Sequence, residues 1–271
     1  MRLRSLFRPT RKGSVLPADG YTPSAVPIER LDRLSDDALK HLNGMLDWNC
    51  FTVDSRGRRF GNLARPGKRD QPQTIPDRRI GLFDAEFGLQ GCSVLEVGCF
   101  EGIHTIGLAQ AGARVTAVDA RMENIAKAIL RCHFHGVQAD IRCCNVENDA
   151  EVDALPEVDL LHHIGVLYHL ARPVQHLRRI ARKVRVGVML DTHVAHPDQA
   201  SDSLTDGGLT LRCRRVGESL PDVFSGVEGH ANWLLLDDLL GLLREAGFAD
   251  ARVLEERAER NGPRVLIFAR R

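Results

Sequence analysis

Four histidines and a tyrosine gather at the ends of two apolar segments. His162 and His163 lie inside "VDLLHHIGV" (158–166), Tyr168 and His169 follow it, and His193 follows "VRVGVMLDT" (184–192). Imidazole titrates near neutrality and is the side chain most often used to take a proton from a hydroxyl, so these residues are candidates for acid–base work. His193, His169 and Tyr168 are the candidate catalytic residues. His193 comes two residues after Asp191, and the period of two along a strand puts both on one face, a base beside an orienting acid. The same period sends His162 and His163 to opposite faces, so at most one of them looks into a site. His133 and His135 read as surface or capping residues. His196 and His230 fall in a long insertion, where substrate contact and solvation are equally plausible readings. No spacing specifies a metal site, and no metal ligand is assigned.

A second set of residues has the pattern of a ligand-binding turn. In "VLEVGCFEG" (94–102) an apolar strand ending at Val97 runs into Gly98-Cys99-Phe100-Glu101-Gly102 and then directly into a helix. Glycines there let the backbone turn tightly and let a ligand approach the helix N-terminus. The next strand, "VTAVD", ends in Asp119, roughly 20 residues after Gly98, the separation at which an acid grips both hydroxyls of a ribose. A nicotinamide dinucleotide would satisfy that acid too, but its fingerprint is G-x-G-x-x-G. Here Phe100 replaces the middle glycine, and Glu101 adds negative charge where a pyrophosphate would lie. S-adenosylmethionine has no phosphate and carries an ammonium and a sulfonium, for which Glu96 and Glu101 are suitable neighbours. A nicotinamide-dependent oxidoreductase, or a binding module without catalysis, stays as the alternative class.

The elements that must hold these residues follow from periodicity. Strands at 92–98, 114–119, 139–146, 158–166 and 184–192 alternate with helices at 103–111, 122–135 and 172–182, which implies a parallel sheet covered on both faces. A further helix spans 235–246. After it, "ARVLEER" and "PRVLIFARR" flank a turn at Asn261-Gly262 and read as an antiparallel hairpin. The expected fold is α/β: a doubly wound, mostly parallel seven-stranded sheet with an antiparallel C-terminal hairpin, preceded by a helical lead-in. Residues 1–80 are expected to form the lead-in, a candidate lid, with an amphipathic helical run over 28–48 and an irregular connector over 54–79. Residues 81–271 are expected to form the main domain. The forty or so residues from Thr192 to Trp233 read as a substrate-binding insertion, with "GLTLRCRRV" as a strand of its own.

Composition excludes several classes. With 37 basic and 36 acidic residues among 271, the net charge is +1, so no global field selects nucleic acid or an anionic membrane. Seven cysteines, an odd number without a C-x-x-C pair, read as buried reduced thiols rather than a disulfide framework. No apolar run approaches the ~20 residues that cross a bilayer. The expectation is a soluble, cytoplasmic protein. The basic start "MRLRSLFRPTRKG" reads as a solvated tail, and the Arg65 to Arg69 region as a linker or an arm over an anionic ligand.

Together these stretches resemble the class I S-adenosylmethionine-dependent methyltransferases. "VLEVGCFEG" looks like the family's first motif, "VTAVDA" its second, "NVEN" its adenine-side motif and "VDLLHHIGVLYHLARP" its fourth-strand motif; the resemblance runs from about Gly91 to Arg271. It implies that Glu96, Gly98, Cys99 and Gly102, with Phe100 between them, line the methionine end, and that Asp119 holds the ribose between Ala120 and Arg121. It also implies that Asn145 and Val146 meet the adenine, and that Ile164 and Gly165 close the pocket. "GVLYHL" and "NWLLLDDLLGLLREAGFADARVLE" are in addition similar to the tRNA wobble-uridine carboxymethyltransferases, in which the tyrosine corresponding to Tyr168 contacts a carboxylated cofactor. The tryptophan-rich segment of those enzymes has no match in "GKRDQPQTIPDRR". The expected function is methyl transfer to a small molecule or sugar, at oxygen, with the Thr192 to Trp233 insertion forming the acceptor pocket. An RNA-modifying methyl- or carboxymethyltransferase is the alternative.

Overall fold

A computed structural model describes residues 24–61 and 71–271. The basic start of the chain and the Arg65 to Arg69 region lie outside the described residues.

The lead-in is two helices rather than one, α1 (Glu29–Asp32) and α2 (Asp36–Met45). The break falls at Ser35, whose extended backbone (φ −67, ψ 161) interrupts the helix while its Oγ accepts the Ala38 N–H at 3.2 Å and starts the next one. A two-stranded hairpin, β1 (Phe51–Val53) and β2 (Arg59–Gly61), occupies part of the expected connector. Helix α3 (Arg78–Phe87) was not expected. It starts on Asp77, whose Oδ1 accepts the Arg79 N–H at 2.9 Å, and it runs across position 80, where the lead-in was expected to end.

From there the alternation is as expected: β3 (Ser93–Val97), α4 (Ile103–Gln110), β4 (Arg114–Asp119), α5 (Met122–Phe134), β5 (Asp140–Cys143), the short α6 (Asp149–Asp153), β6 (Val158–Ile164), α7 (Pro173–Ala181) and β7 (Val184–His193). The insertion holds three strands where one was expected: β8 (Asp202–Asp206), β9 (Leu209–Gly217) and β10 (His230–Leu234). They form a separate antiparallel sheet in the order β10-β9-β8. Helix α8 (Leu236–Glu245) leads to β11 (Asp250–Glu259) and β12 (Gly262–Arg270). The main sheet has the order β11-β12-β7-β6-β3-β4-β5, parallel except for β12, which is antiparallel to both of its neighbours.

Alternate side chains of the buried strands feed two apolar layers. Leu95, Leu161 and Val188 pack with Leu177 and Ile180 of α7, while Val94, Leu160 and Met189 pack with Leu108 of α4 and Ile125 of α5. The lead-in is fastened to α5. Trp48, Phe60 and Leu39 meet Leu130 and Phe134. The Arg131 guanidinium lies between the Trp48 and Phe60 rings, 4.8 Å from each centroid. The Glu101 carboxylate is committed to this joint: it accepts the Asn49 N–H at 2.6 Å and the Cys50 N–H at 3.2 Å, and pairs with Arg131 at 3.1 Å and Lys127 at 3.4 Å. A carboxylate taken so fully out of water is stable only with such partners. All seven cysteines are free thiols, and five are buried. No described helix is long and apolar enough to cross a membrane.

Candidate active site

The C-terminal ends of the parallel strands open on a cavity of about 730 Å³. Its floor is the glycine turn. Gly98 takes φ +74, and a side chain there would run into Val166 Cγ2. Phe100 is the one described non-glycine residue with positive φ, at +50, and its N–H donates to Asp119 Oδ2 at 3.0 Å. Asp119 Oδ1 accepts the Arg121 N–H at 2.9 Å and the Asn124 Nδ2–H at 3.0 Å. The carboxylate that ends β4 therefore organises the turn and still lines the cleft. Burial pushes its pKa up, and the three donors pull back.

Of the residues expected to hold a cofactor, Glu96, Gly98, Cys99, Phe100, Asp119 and Ala120 line this cavity, and so do Arg121, Asn145, Val146, Ile164 and Gly165. Gly102 does not. Its αL backbone (φ +80) caps α4, and a Cβ there would come within 3.1 Å of Ala128 Cα on α5, so its absence of side chain serves helix packing. Beneath the turn, Glu96 is buried, and burial raises its pKa to about 7 although Thr105 Oγ donates to it at 2.6 Å. Glu96 and His162 are register partners on β3 and β6. His162 lines the cavity, is 1% exposed, and has no hydrogen-bond partner at either ring nitrogen among the described residues. His163 points the other way, as the strand period requires, with its Nε2 2.9 Å from that of His176.

His104, from the first turn of α4, joins Glu96 and His162, with one ligand-type atom of each within 4.8 Å of the others. That donor set suits a divalent ion. However, Arg79 Nη2 already brings a positive charge within 3.2 Å of His104 Nε2, and we assign the cluster to the polar floor of the cleft.

The three candidate catalytic residues separate. His169 lines the cavity, and its Nδ1 lies 2.8 Å from Glu218 Oε1, at the end of the insertion's β9. Burial works to raise the Glu218 pKa, but the His169 bond and the Gly226 N–H override it and hold it below the ordinary value. A carboxylate on Nδ1 leaves Nε2 as the acceptor, the arrangement of an oriented base. Tyr168 also lines the cavity, under the Arg264 guanidinium at 5.3 Å; burial raises its pKa, which keeps the hydroxyl a donor.

His193 lies behind this surface. It is stacked on Trp233 (4.8 Å, 10°) and edge-on to Tyr168 (4.7 Å), and its Nδ1 is 3.1 Å from the Pro263 carbonyl. It does not reach Asp191. The expected His193–Asp191 pair is replaced by a hub in which the fully buried Asp191 takes Arg264 on Oδ1, and Arg257 (2.8 Å) and Arg79 (3.4 Å) on Oδ2. These guanidiniums hold the Asp191 pKa down against the effect of burial.

The cavity is also lined by Gln73 before α3, by Asp77, Arg78 and Arg79 at its start, and by Arg257, Glu259 and Arg264 from the C-terminal hairpin. Of the insertion, only Val223 to Val227 line it. They close it from above: Arg121 Nη2 lies 3.1 to 3.2 Å from the carbonyl oxygens of Leu220, Asp222, Ser225 and Gly226, and the Phe224 ring lies 5.3 Å from that of Phe100. Sequence reasoning missed Arg79, His104, Glu218, Arg257, Glu259 and Arg264. His104 follows the glycine turn by two residues, the other five come from segments remote from the strand motifs, and none carries a local signal beyond its charge. Of the adjacent pair His162 and His163, only His162 lines the cavity.

Residues 95–190 match the family model described as a methyltransferase domain. The ubiquinone biosynthesis O-methyltransferase of Azoarcus sp. (strain BH72) is 32% identical over 98 residues, 34% of this chain and 42% of that protein. The protein of the same name from Pseudomonas paraeruginosa (strain DSM 24068 / PA7) is 40% identical over 73 residues, 27% of this chain and 32% of that protein. The match thus spans less than half the length of these curated relatives. Among solved structures, the N-terminal domain of EvdMO1 with SAH bound superposes at a TM-score of 0.71, with 26% identity, over 86% of this chain and 94% of that chain. The same domain in the presence of SAH and D-fucose gives 0.69 over 86% and 93%. Magnesium protoporphyrin IX methyltransferase (ChlM) from Synechocystis PCC 6803 with bound SAM, at 0.52 and 18% identity, shares the fold.

Proposed function

We propose, on the premise that this chain is a class I S-adenosylmethionine-dependent methyltransferase, that it moves the cofactor's methyl group onto a hydroxyl oxygen of a small molecule or sugar. One observation supports the reading above the others: a single cleft is lined both by the ribose-type acid Asp119 and by the oriented imidazole of the His169–Glu218 pair.

The residues present fit the cofactor. Asp119 has the acceptor capacity for ribose hydroxyls, and Glu96 with the unpartnered nitrogens of His162 would receive the methionine amino group. Asn145 and Val146 border the adenine side, and Phe224 with Phe100 shuts out water above the ribose. When bound, the cofactor supplies a methyl group on a sulfonium: the C–S bond breaks with its electron pair returning to sulfur, and a C–O bond forms to the acceptor. His169 Nε2 takes the proton the hydroxyl loses. Glu218 keeps that ring in the accepting tautomer and stabilises its charge once protonated. Tyr168 donates a hydrogen bond to the acceptor and helps to align it.

The test is a calorimetric titration with S-adenosylmethionine and with NAD, on wild type and Asp119→Ala. Binding of the first alone is expected, weakened by about 2 kcal/mol in the variant, because ribose hydroxyls then lose their buried acceptor. Preference for NAD, or an affinity untouched by the substitution, would sink the assignment.

A further inference from the structure

Given methyl transfer in this cleft, we infer that the acceptor is a polyhydroxylated, sugar-type ring, and that a prenylated or otherwise lipophilic phenol is rejected. Three elements meet at the acceptor end, and all of them bring charged groups. Asp77 and Arg79 come from the start of α3, Arg257 and Glu259 from β11, and Arg264 from β12. Among the described residues the rings beside them are polar ones: the His104 imidazole, 3.6 Å from Asp77, and Tyr168, whose hydroxyl oxygen would lie 3.8 Å from a Cβ built on Gly165.

These charges are held in a fixed array. Asp191, buried behind the wall, pins all three guanidiniums at once. Arg79 also grips Asp77 at 2.8 Å, while Glu259 lies 3.7 Å from Arg257 and 3.8 Å from Arg264. The resulting surface alternates donors and acceptors over a short distance, and these cavity-lining side chains stay 13 to 30% exposed. Ring hydroxyls are both donors and acceptors, so several can bond to such a wall at once. An apolar tail would strip water from the same groups and return nothing, and buried polar groups left unpaired are what make a site reject an analogue. Because acids and guanidiniums are balanced, the wall selects for hydroxyls rather than for a strongly anionic acceptor.

The test starts from wild-type protein whose S-adenosylmethionine affinity has been measured by calorimetry. Protein and cofactor carrying a labelled methyl group are incubated with a lysate of the source cell, which is then split into a periodate-sensitive aqueous pool and a lipid extract. Label is expected in the aqueous pool at a hundredfold or more over the lipid extract. Label in the lipid extract overturns the inference and leaves methyl transfer standing. Label in neither pool despite cofactor binding also counts against it, whereas absence of cofactor binding overturns the underlying reading instead. With the labelled polyol in hand, Arg257→Leu combined with Glu259→Leu is expected to raise its KM at least tenfold and to leave the cofactor Kd within twofold. An equal loss of both would assign the wall to the cofactor.

Discussion

The imidazoles of this site differ because of what each ring nitrogen touches. His169 lines the cleft with a carboxylate on its Nδ1, whereas His193 donates to a backbone carbonyl, lies flat on Trp233, and is held below its ordinary pKa by burial and by Arg264. A base that has lost its imidazole typically costs 10²- to 10⁴-fold in rate. His169→Ala is therefore expected to lower kcat by about two orders of magnitude or more with the S-adenosylmethionine Kd unchanged. His193→Ala is expected to act through the packing of Tyr168, with a smaller effect on kcat and a lower melting temperature. Rates measured by labelled methyl transfer in the two variants decide it, and a larger kcat loss at His193 would reverse the two roles. The sequence placed His169 just after β6 and His193 at the end of β7. It could not choose between them, because Glu218 lies 49 residues from His169 and Trp233 lies 40 residues from His193.

At the scale of elements, the insertion is a scaffold as much as a pocket. Its β10 pins the turn that carries Tyr168 and His169, with the Trp233 indole N–H donating to the Tyr168 carbonyl at 2.7 Å and Asn232 bonding to Leu170 and Ala171. The loop between β9 and β10 forms the roof, held by Arg121. Arg121→Ala is expected to weaken cofactor binding about tenfold, or roughly 1.4 kcal/mol, and to make the 218–229 loop the first site of limited proteolysis. Unchanged affinity and an uncut loop would show that the latch is dispensable. The apolar period of the insertion is weak, so only β9 stood out in the sequence. Helix α3 was hidden for a different reason: it follows directly on an Arg- and Pro-rich segment, and its inward residues Ile80 and Phe83 are too few to make a clear stripe.

For the whole molecule, buried neutral histidines set the acid limit. Burial lowers the pKa of His176 to about 4 and of His135 to about 3, and holds His162 and His163 well below the ordinary 6.5. His176 gives its Nδ1–H to the Val146 carbonyl, so its Nε2 accepts from His163, and protonating that His176 nitrogen breaks the arrangement. The unfolded chain takes up protons below pH 6.5 that the folded chain refuses, so stability falls as pH drops from about 6.5 toward 4. Each such group contributes up to about 1.4 kcal/mol per pH unit. Glu96 works in the opposite sense between its ordinary 4.5 and about 7, because the folded state holds that proton, and it offsets about one histidine. A net loss of stability between pH 6.5 and 4.5 is expected, with two to three protons taken up on unfolding, as urea titrations at several pH values would report. A flat profile over that range would mean that these rings are hydrated or paired in solution.

The sequence by itself determined the alternating α/β framework, the glycine turn with Asp119 on the next strand, and the antiparallel hairpin at the end of the sheet. Strand and helix periods, turn glycines and the spacing of an acid act within some thirty residues, so they are written locally. Only the tertiary structure decided which imidazoles line the cleft, that Glu101 belongs to the joint with the lead-in, and that three cleft-lining arginines gather on Asp191. The arginines on that carboxylate are 112, 66 and 73 residues away along the chain. Their meeting depends on strand order and register across the sheet, which no local pattern of residues encodes.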